Sequence, residues 1–594
     1  MDEPKLRLTL LHEIPEDAML RQQWNALALA MDDPQVFFTH EWALAVFRAY
    51  GKSLRPFLFL QYDDAGSLCG VAALAESSGL VSFLCATTGD YCDFLGSRES
   101  REAFVSAVLA ELKQLGIKEL VLANLPVDSA TARLLRETRT FHCFSRTGYF
   151  CAQVSLADLE RRGDAKPVLP RKKMLRRFLN AMGREAPVRL SHARSREQIA
   201  EILPEFMLGH IGRFLITGRI SNMARPDRQA FLKELVDLLS EREWIVLTRM
   251  MSGERVFASN LGFEFQGTWF WYQPTFDSDL EKYSPGFCLL AKLIEESADK
   301  PGLKTVDLGL GAEEYKDRFA NRTRETLHIT LDESLVRICR ERARYYLAEA
   351  VKSVPSAENA IRKAVRMVGR VRERILQDGT GPTAAWLASR TREMLWLERK
   401  VTFYEWVPPL SRSANGLQVQ RLDLRRLAIA TTQYVDDPAT LGYLMRAASR
   451  LHKEGEKTEA YGLVDEQGRF VHFAGATDFT GFFLAELNSE VAAPAPRSVM
   501  IFDCWTPHAV RGHGHYAQTV EALARLIEAR GKRAWIFSAT ENASSIRGLQ
   551  QTNFTRRYSL IRRRLCGWQW IKGGTSASIA MPREISTDPA DSAA

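Results

Sequence analysis

Residues 499–530 confine this chain more tightly than any other stretch. Val499 to Trp505 reads as a long buried strand, Arg511 to His515 as a glycine-containing loop, and a helix follows from Ala517. Ala534 to Ser538 is the next strand. Glycines at a strand-to-helix turn let backbone N–H groups approach an anion at the positive end of the helix. The same alternation occurs near the start. Phe57–Leu60, Gly70–Leu74 and Leu120–Leu122 are strand-like, and an amphipathic helical pattern lies near 101–115. Strands alternating with helices predict an α/β fold with mixed sheets covered by helices.

Turn signals divide the rest of the chain. Gly163 to Pro170 is a polar break, followed by the basic run Arg171-Lys172-Lys173. Trp244–Thr248 and Val256–Leu261 flank Ser252-Gly253 as a hairpin, and Gly267–Tyr272 continues the meander. A second hairpin joins Tyr461–Val464 to Val471–Ala476 through Asp465–Gly468. The expected organisation is a first half over 1–160 and a second over 165–335. A basic helical linker over 336–400, a last domain over 401–572 and a disordered tail over 573–594 complete it.

With 594 residues, 46% hydrophobic and 26% charged, the composition is that of a globular protein. No run approaches about 18 apolar residues, and the acidic start Met1-Asp2-Glu3-Pro4 lacks signal-peptide character, so a cytoplasmic protein is expected. The nine cysteines form no C-x-x-C pair, which argues against a zinc site or a disulfide framework. The net charge of +8 allows an anionic ligand without demanding nucleic acid, and no DNA partner is expected.

Downstream of the glycine loop come Asn542-Ala543-Ser544-Ser545-Ile546-Arg547 and Asn553-Phe554. Together with Arg511, Gly512 and Gly514, these resemble the acyl-CoA signature of the GNAT N-acyltransferase superfamily. The resemblance implies that loop amides at Arg511, Gly512 and Gly514 hold the CoA pyrophosphate and that Asn542 lies near pantetheine. Two positions depart from the pattern. Tyr516 stands where Gly or Ala is usual, and Leu549 where the family places a proton-donating Tyr. Such a domain binds CoA with altered or lost chemistry.

Four earlier segments occur in order. They are Pro34 to Trp42, Asp90-Tyr91-Cys92-Asp93-Phe94, Tyr283-Ser284-Pro285-Gly286, and Asp307-Leu308-Gly309-Leu310-Gly311 with Tyr315-Lys316. Over residues 30–320 this series resembles the CelD-like (cellulose-biosynthesis) acetyltransferases, with Leu308 in place of a Phe. That family is similar in fold to the FemAB aminoacyltransferases, in which two GNAT-like halves pack together. The resemblance implies three GNAT-like units and polysaccharide biosynthesis as a setting.

The residue types suit N-acyl transfer, in which an amine attacks a thioester. Asp307 is the expected base or amine-orienting group, and Tyr315 the acid. Ser284, Gly286 and Lys316 are expected to hold CoA phosphate. Asp90, Asp93 and His210 are expected on the acceptor side. Asp90 and Asp93 have the alternative of satisfying loop amides, and Trp42 reads as core. No metal and no permanent cofactor is expected, because the thioester is already activated; acetyl-CoA or acyl-CoA is the co-substrate.

The expected activity is acyl transfer, other than aminoacyl transfer, to an amine of a sugar, an envelope polysaccharide precursor or a lipid. Three rivals stand beside it: FemAB-type transfer from aminoacyl-tRNA, ceramide-type N-acylation, and a non-catalytic CoA-binding scaffold. Finally, Ile361, Val365, Val368 and Ile375 form an apolar helical stripe beside Arg362, Lys363, Arg366 and Arg370. That pattern suits either a packed spacer or peripheral contact with an anionic membrane.

Overall fold

A computed structural model describes residues 7–97, 100–162, 166–167, 169–311, 313–352, 381, 396–409, 419–491, 493–565 and 568–573. The chain divides into two compact units. One comprises 1–210 with 225–353, and the other 211–224 with 354–594.

The first unit is built on one sheet of 13 strands. In chain order its strands are β1 (Arg7–Leu11), β2 (Arg55–Tyr62), β3 (Leu68–Ser77), β4 (Leu80–Phe83), β5 (Leu95–Gly96), β6 (Glu119–Pro126) and β7 (His142–Ser155). After a separate small ribbon, β8 (Arg161–Arg162) with β9 (Lys166–Pro167), come β10 (Arg189–Ala193), β11 (Ile245–Ser252) and β12 (Arg255–Phe265). β13 (Thr268–Phe276), β14 (Thr305–Asp307) and β15 (Arg322–Asp332) complete it.

The spatial order is β1-β2-β3-β4-β6-β15-β7-β14-β13-β12-β11-β10, with β5 on β3. Each half has antiparallel strands leading to one parallel pair, β4 with β6 and β13 with β14. The last strand of each half is exchanged. β7 follows β6 in the chain but pairs with β14, whereas β15 follows β14 but pairs with β6. β7 and β15 also pair with each other from Arg322–Gln153 to Asp332–His142. The segments 1–160 and 165–335 therefore share a sheet rather than forming two.

Helices cover this sheet for reasons visible in their sequence. Helix Arg101–Gln114 buries Phe104, Val105, Val108, Leu109 and Leu112, one stripe at helical spacing. Helix Pro285–Asp299 begins with proline at its first position, where no amide bond is lost. It buries Phe287, Leu290, Leu293 and Ile294 against the second half of the sheet. Each such side chain contributes about 1.5–3 kcal/mol when fully buried. Trp42 is core, on helix His40–Tyr50, which Thr39 caps.

The second unit carries β16 (Trp396–Trp406), β17 (Val419–Leu422), β18 (Thr458–Val464), β19 (Phe470–Asp478) and the ribbon β20 (Phe482–Leu484) with β21 (Ser489–Val491). β22 (Ser498–Trp505), β23 (Arg533–Ala539), β24 (Phe554–Leu565) and β25 (Trp568–Lys572) follow. Its main sheet runs β17-β18-β19-β22-β23-β16-β24-β25. Among the described residues of this sheet only β22 and β23 are parallel neighbours, and helix His515–Ala529 joins them.

The expected helical linker differs from the structure at its C-terminal end. Leu335–Lys352 is helical, but Trp396 to Lys400 is strand, because its alternating side chains form the outer part of β16. The stripe at 361–375 lies outside the described residues. Among the described residues no helix is long and apolar enough to cross a membrane.

Gly70 of β3 packs against the buried ring of Phe104, and an added Cβ would lie 2.9 Å from that ring. Gly70→Ala is expected to cost about 1–3 kcal/mol by overpacking. An unchanged thermal unfolding midpoint would contradict this packing.

Candidate active site

Asp307 is the last residue of β14, and its pairing with Phe270 and Gln153 places it at the centre of the first unit's sheet. Beyond this pair β13 continues while the other chain turns away through Gly309 (φ +70°) and Gly311 (φ +105°). Both conformations suit glycine. Asp307 is 1% exposed. Three donors converge on its carboxylate. Tyr91 Oη and Gln153 Nε2 each donate to Oδ2 at 2.8 Å, and the Gly309 amide donates to Oδ1 at 2.8 Å.

Strand exchange brings the partners together. Gln153 and Cys151 come from β7, Arg324 from β15, and Tyr91 from the first half. The Arg324 guanidinium lies 4.9 Å from the Tyr91 ring centre. It pairs with Asp33 and, at 3.2 Å, with Asp128. Burial raises the Asp33 carboxyl, and Arg324 opposes that rise. Burial, reinforced by Asp307, holds the Cys151 thiol up at about 12.

Asp90 sits beside this group. A Cβ on Gly309 would lie 2.5 Å from Asp90 Oδ2, so glycine is required there for space as well as conformation. Asp90 is half-buried. Burial and then the charge of Asp307 push its carboxyl up to about 7, while Lys316 and Arg228 pull the other way. The loop presenting it is pinned at several points. Tyr272 Oη donates to Thr88 O at 2.6 Å, Asn124 Nδ2 to Gly89 O at 3.1 Å, and Trp42 Nε1 to Thr88 Oγ1 at 3.2 Å. The buried Arg228 in turn donates to Tyr272 Oη at 2.7 Å. The result is a largely buried carboxyl on a rigid loop, near a fully anchored one.

The other expected residues fall in different places. Tyr315 is half-buried, and Trp271 Nε1 donates to its hydroxyl at 3.4 Å. Lys316 is 5% exposed; its ammonium donates to Leu310 O at 2.8 Å and pairs with Glu313 at 2.5 Å. That corrects the expectation of an open phosphate ligand, since the cation is spent beneath the 308–311 loop. Ser284 is left-handed (φ +46°), and its amide donates to Glu281 O at 2.8 Å. Its amide is therefore also spent, leaving Gly286, in the first turn of helix Pro285–Asp299, to face an anion. Asp93 accepts from Ser129 Oγ at 2.6 Å and from the Phe94 amide at 2.8 Å, which is the loop-satisfying alternative. His210 is buried on helix Arg196–Ile216, an element that supplies none of the groups bonded to Asp307.

The second unit has a cavity of about 550 Å³ where β22 and β23 part. Their pairing stops at Ile501–Ile536, although the strands continue to Trp505 and Ala539. Arg511, Gly512, Gly514 and Asn542 all line this cavity. Gly512 (φ +88°) and Gly514 (φ +77°) have open space around them, so conformation alone calls for glycine. Arg511 Nε donates to Thr506 O at 3.1 Å, and its guanidinium lies 5.3 Å from the Trp505 ring centre. Asn542 caps the short helix Ala543–Leu549 by accepting from the Ser545 amide at 3.1 Å.

Tyr516 does not close the loop. Its hydroxyl bonds Ser545 Oγ at 2.9 Å and its ring lies over Gly548, where a Cβ would approach to 2.4 Å. Leu549 is 1% exposed in the core and offers no proton. Sequence reasoning missed His472, a buried lining residue bonded to Thr506 Oγ1 at 2.8 Å. Burial, aided by His515, lowers it to about 3, so it is neutral.

Residues 170–317 match the model of the acetyltransferase (GNAT) domain. No curated protein matches the chain in sequence. Similar solved structures include L-PGS from Bacillus licheniformis, with TM-score 0.36 and 12% identity over 54% of this chain and 94% of that one. FemX has TM-score 0.36 and 10% identity over 52% and 95%. A tandem GNAT protein from the clavulanic acid biosynthesis pathway has TM-score 0.34 and 11% identity over 55% and 98%.

Asp90 titrates near 3.8 in the unfolded chain and near 7 in the fold. Between those values the unfolded chain releases its proton and the fold keeps it, so rising pH favours unfolding. Below the lower value there is no penalty, and above the higher one it is constant. Asp90→Asn is therefore expected to melt above the wild type, by a margin that widens from pH 4 to pH 7. A margin independent of pH would contradict the raised carboxyl.

Proposed function

We propose that the chain is an acyl-CoA-dependent N-acyltransferase whose chemistry takes place beside Asp90 and Asp307. One observation carries the reading: a largely buried carboxyl that keeps some exposure, pushed up to about 7, lies near a buried, fully bonded carboxylate at the end of β14. A base poised near the working pH combines a useful protonation state with useful basicity. Access decides between the two carboxylates. Asp307 is 1% exposed and its oxygens already accept three bonds, so it positions and tunes. Asp90 is open enough to meet an amine.

In this mechanism Asp90 takes a proton from the acceptor ammonium. The amine nitrogen attacks the thioester carbonyl, the tetrahedral intermediate collapses, and the CoA thiolate leaves. Tyr315 gives a proton to that sulfur and is restored by the second N–H proton that the nitrogen sheds as the amide forms. The Gly286 amide, at the positive end of its helix, receives a CoA phosphate. The acceptor is an amine of a sugar, an envelope polysaccharide precursor or a lipid, as the CelD-like segments imply.

The second unit takes a second CoA in an auxiliary role. Arg511, Gly512 and Gly514 shape the loop for its pyrophosphate and Asn542 lies beside it, but Leu549 supplies no acid. Gly514→Val is accordingly expected to impair turnover less than Asp90→Asn.

Two measurements test this reading. Calorimetry with acetyl-CoA and a long-chain acyl-CoA is expected to give heat with at least one, and silence with both would remove the proposal. Transfer from aminoacyl-tRNA but not from acyl-CoA would reassign the donor. The rate of amine acylation is expected to rise with pH through about 7 as Asp90 ionises. Asp90→Asn is expected to lose roughly 10²-fold and the limb with it. Asp307→Asn removes a neighbouring negative charge, so its remaining activity is expected to show the limb at lower pH. A limb unmoved by both substitutions would place the base elsewhere.

A further inference from the structure

The outer end of the second unit's sheet carries a patch that acyl transfer does not use. Register sets its side chains in rows across β16, β24 and β25. Trp396 stands beside Leu565 and Leu565 beside Trp568; one step inward come Glu398, Arg563 and Trp570; then Lys400, Ile561 and Lys572. Alternation puts all three rows on one face. The opposite face is covered, because Arg562 Nη1 donates to Glu486 O and Asn488 Nδ2 to Gln569 Oε1, both from the segment joining β20 and β21. On the bare face Trp568 is 84% exposed, Leu565 49% and Trp396 42%.

We propose that the outer tip of this face enters the surface of an anionic lipid bilayer strand ends first. The order of chemistry along the strands carries the inference. The outermost row is wholly apolar, and cations stand one and two rows behind it. Rows two residues apart are about 7 Å apart at roughly 3.4 Å per residue. Arg563 thus lies about 7 Å, and Lys400 and Lys572 about 14 Å, behind the tip. Interfacial elements sink their apolar side roughly 5–10 Å, with tryptophan at the headgroup boundary and basic side chains at the phosphates. Three cations face one acid, Glu398, which pairs with Arg563 at 2.7 Å. On the middle strand Leu565 and Ile561 stand on either side of Arg563, so the aliphatic tip precedes the first cation.

The inference does not rest on the transfer reaction. It assigns membrane contact to β16, β24 and β25 rather than to the stripe at 361–375. The test is sedimentation of the full chain with phosphatidylcholine vesicles, with and without phosphatidylglycerol, at low and high salt. The wild type is expected to bind the anionic vesicles at least about tenfold better than the neutral ones and to be released by salt. Tryptophan emission is expected to shift to shorter wavelength on binding.

Leu565→Ser with Trp568→Ser should lower binding at least about tenfold with an unchanged melting temperature, since both side chains are exposed. Lys400→Gln with Lys572→Gln should remove the preference for anionic lipid. Replacing Arg362, Lys363, Arg366 and Arg370 with Gln should leave binding in place. Wild-type indifference to anionic vesicles would overturn the proposal, as would undiminished binding by the serine variant. Trp568-dependent binding of single-stranded RNA without vesicle binding would make the face a nucleic-acid platform instead.

Discussion

The hydrogen bonds that close on Asp307 tie the first unit together chemically. A buried carboxylate is costly unless its lone pairs are met. Here one donor comes from the first half (Tyr91), one from an exchanged strand (Gln153) and one from the turn that follows β14 (Gly309). None of these can shift alone. Burial raises Asp90 and the same anchored charge adds to the rise, so a structural requirement and an electrostatic one coincide at Asp307. Exchange of β7 and β15 makes this possible, because only a shared sheet carries side chains of both halves to the end of β14.

The three parallel strand pairs make different use of the same geometry. Beyond β22 and β23 the strands part and leave about 550 Å³. Near β4 and β6, Cys92, Phe94 and Phe104 are fully buried, and the cavity beside Leu84 and Cys85 holds about 30 Å³, too little for a cofactor. Between β13 and β14 the pairing ends at Asp307, where the bonded carboxylate lies. One pair is packed, one is open without an acid, and one carries titratable chemistry.

Much of this was legible in the sequence wherever the signal was local. The hairpins at 252–255 and 465–468, the helix start at Pro285 and the glycine loop at 511–514 all announce themselves within a few residues. Tyr91 was visible as part of a segment, but its bond to Asp307 spans 216 positions. Gln153 and Arg324 gave no local sign. Their roles follow from strand exchange, which leaves no mark on the residues exchanged. Lys316 and Ser284 misled because a lysine or serine near a helix start reads as an open ligand, whereas here Leu310 and Glu281 take their donors. Tyr516 departs from the family pattern, and nothing near it in the sequence shows that Gly548 makes room for its ring.

The central claim is that CoA serves the carboxylate site of the first unit independently of the cavity in the second. Native mass spectrometry of the full chain with acetyl-CoA tests it directly. The account predicts two acetyl-CoA additions to the wild type and one to Gly514→Val, with the remaining bound acetyl-CoA still converted to CoA when an amine acceptor is supplied. No addition to the wild type, or loss of every addition and of all turnover in Gly514→Val, would contradict it.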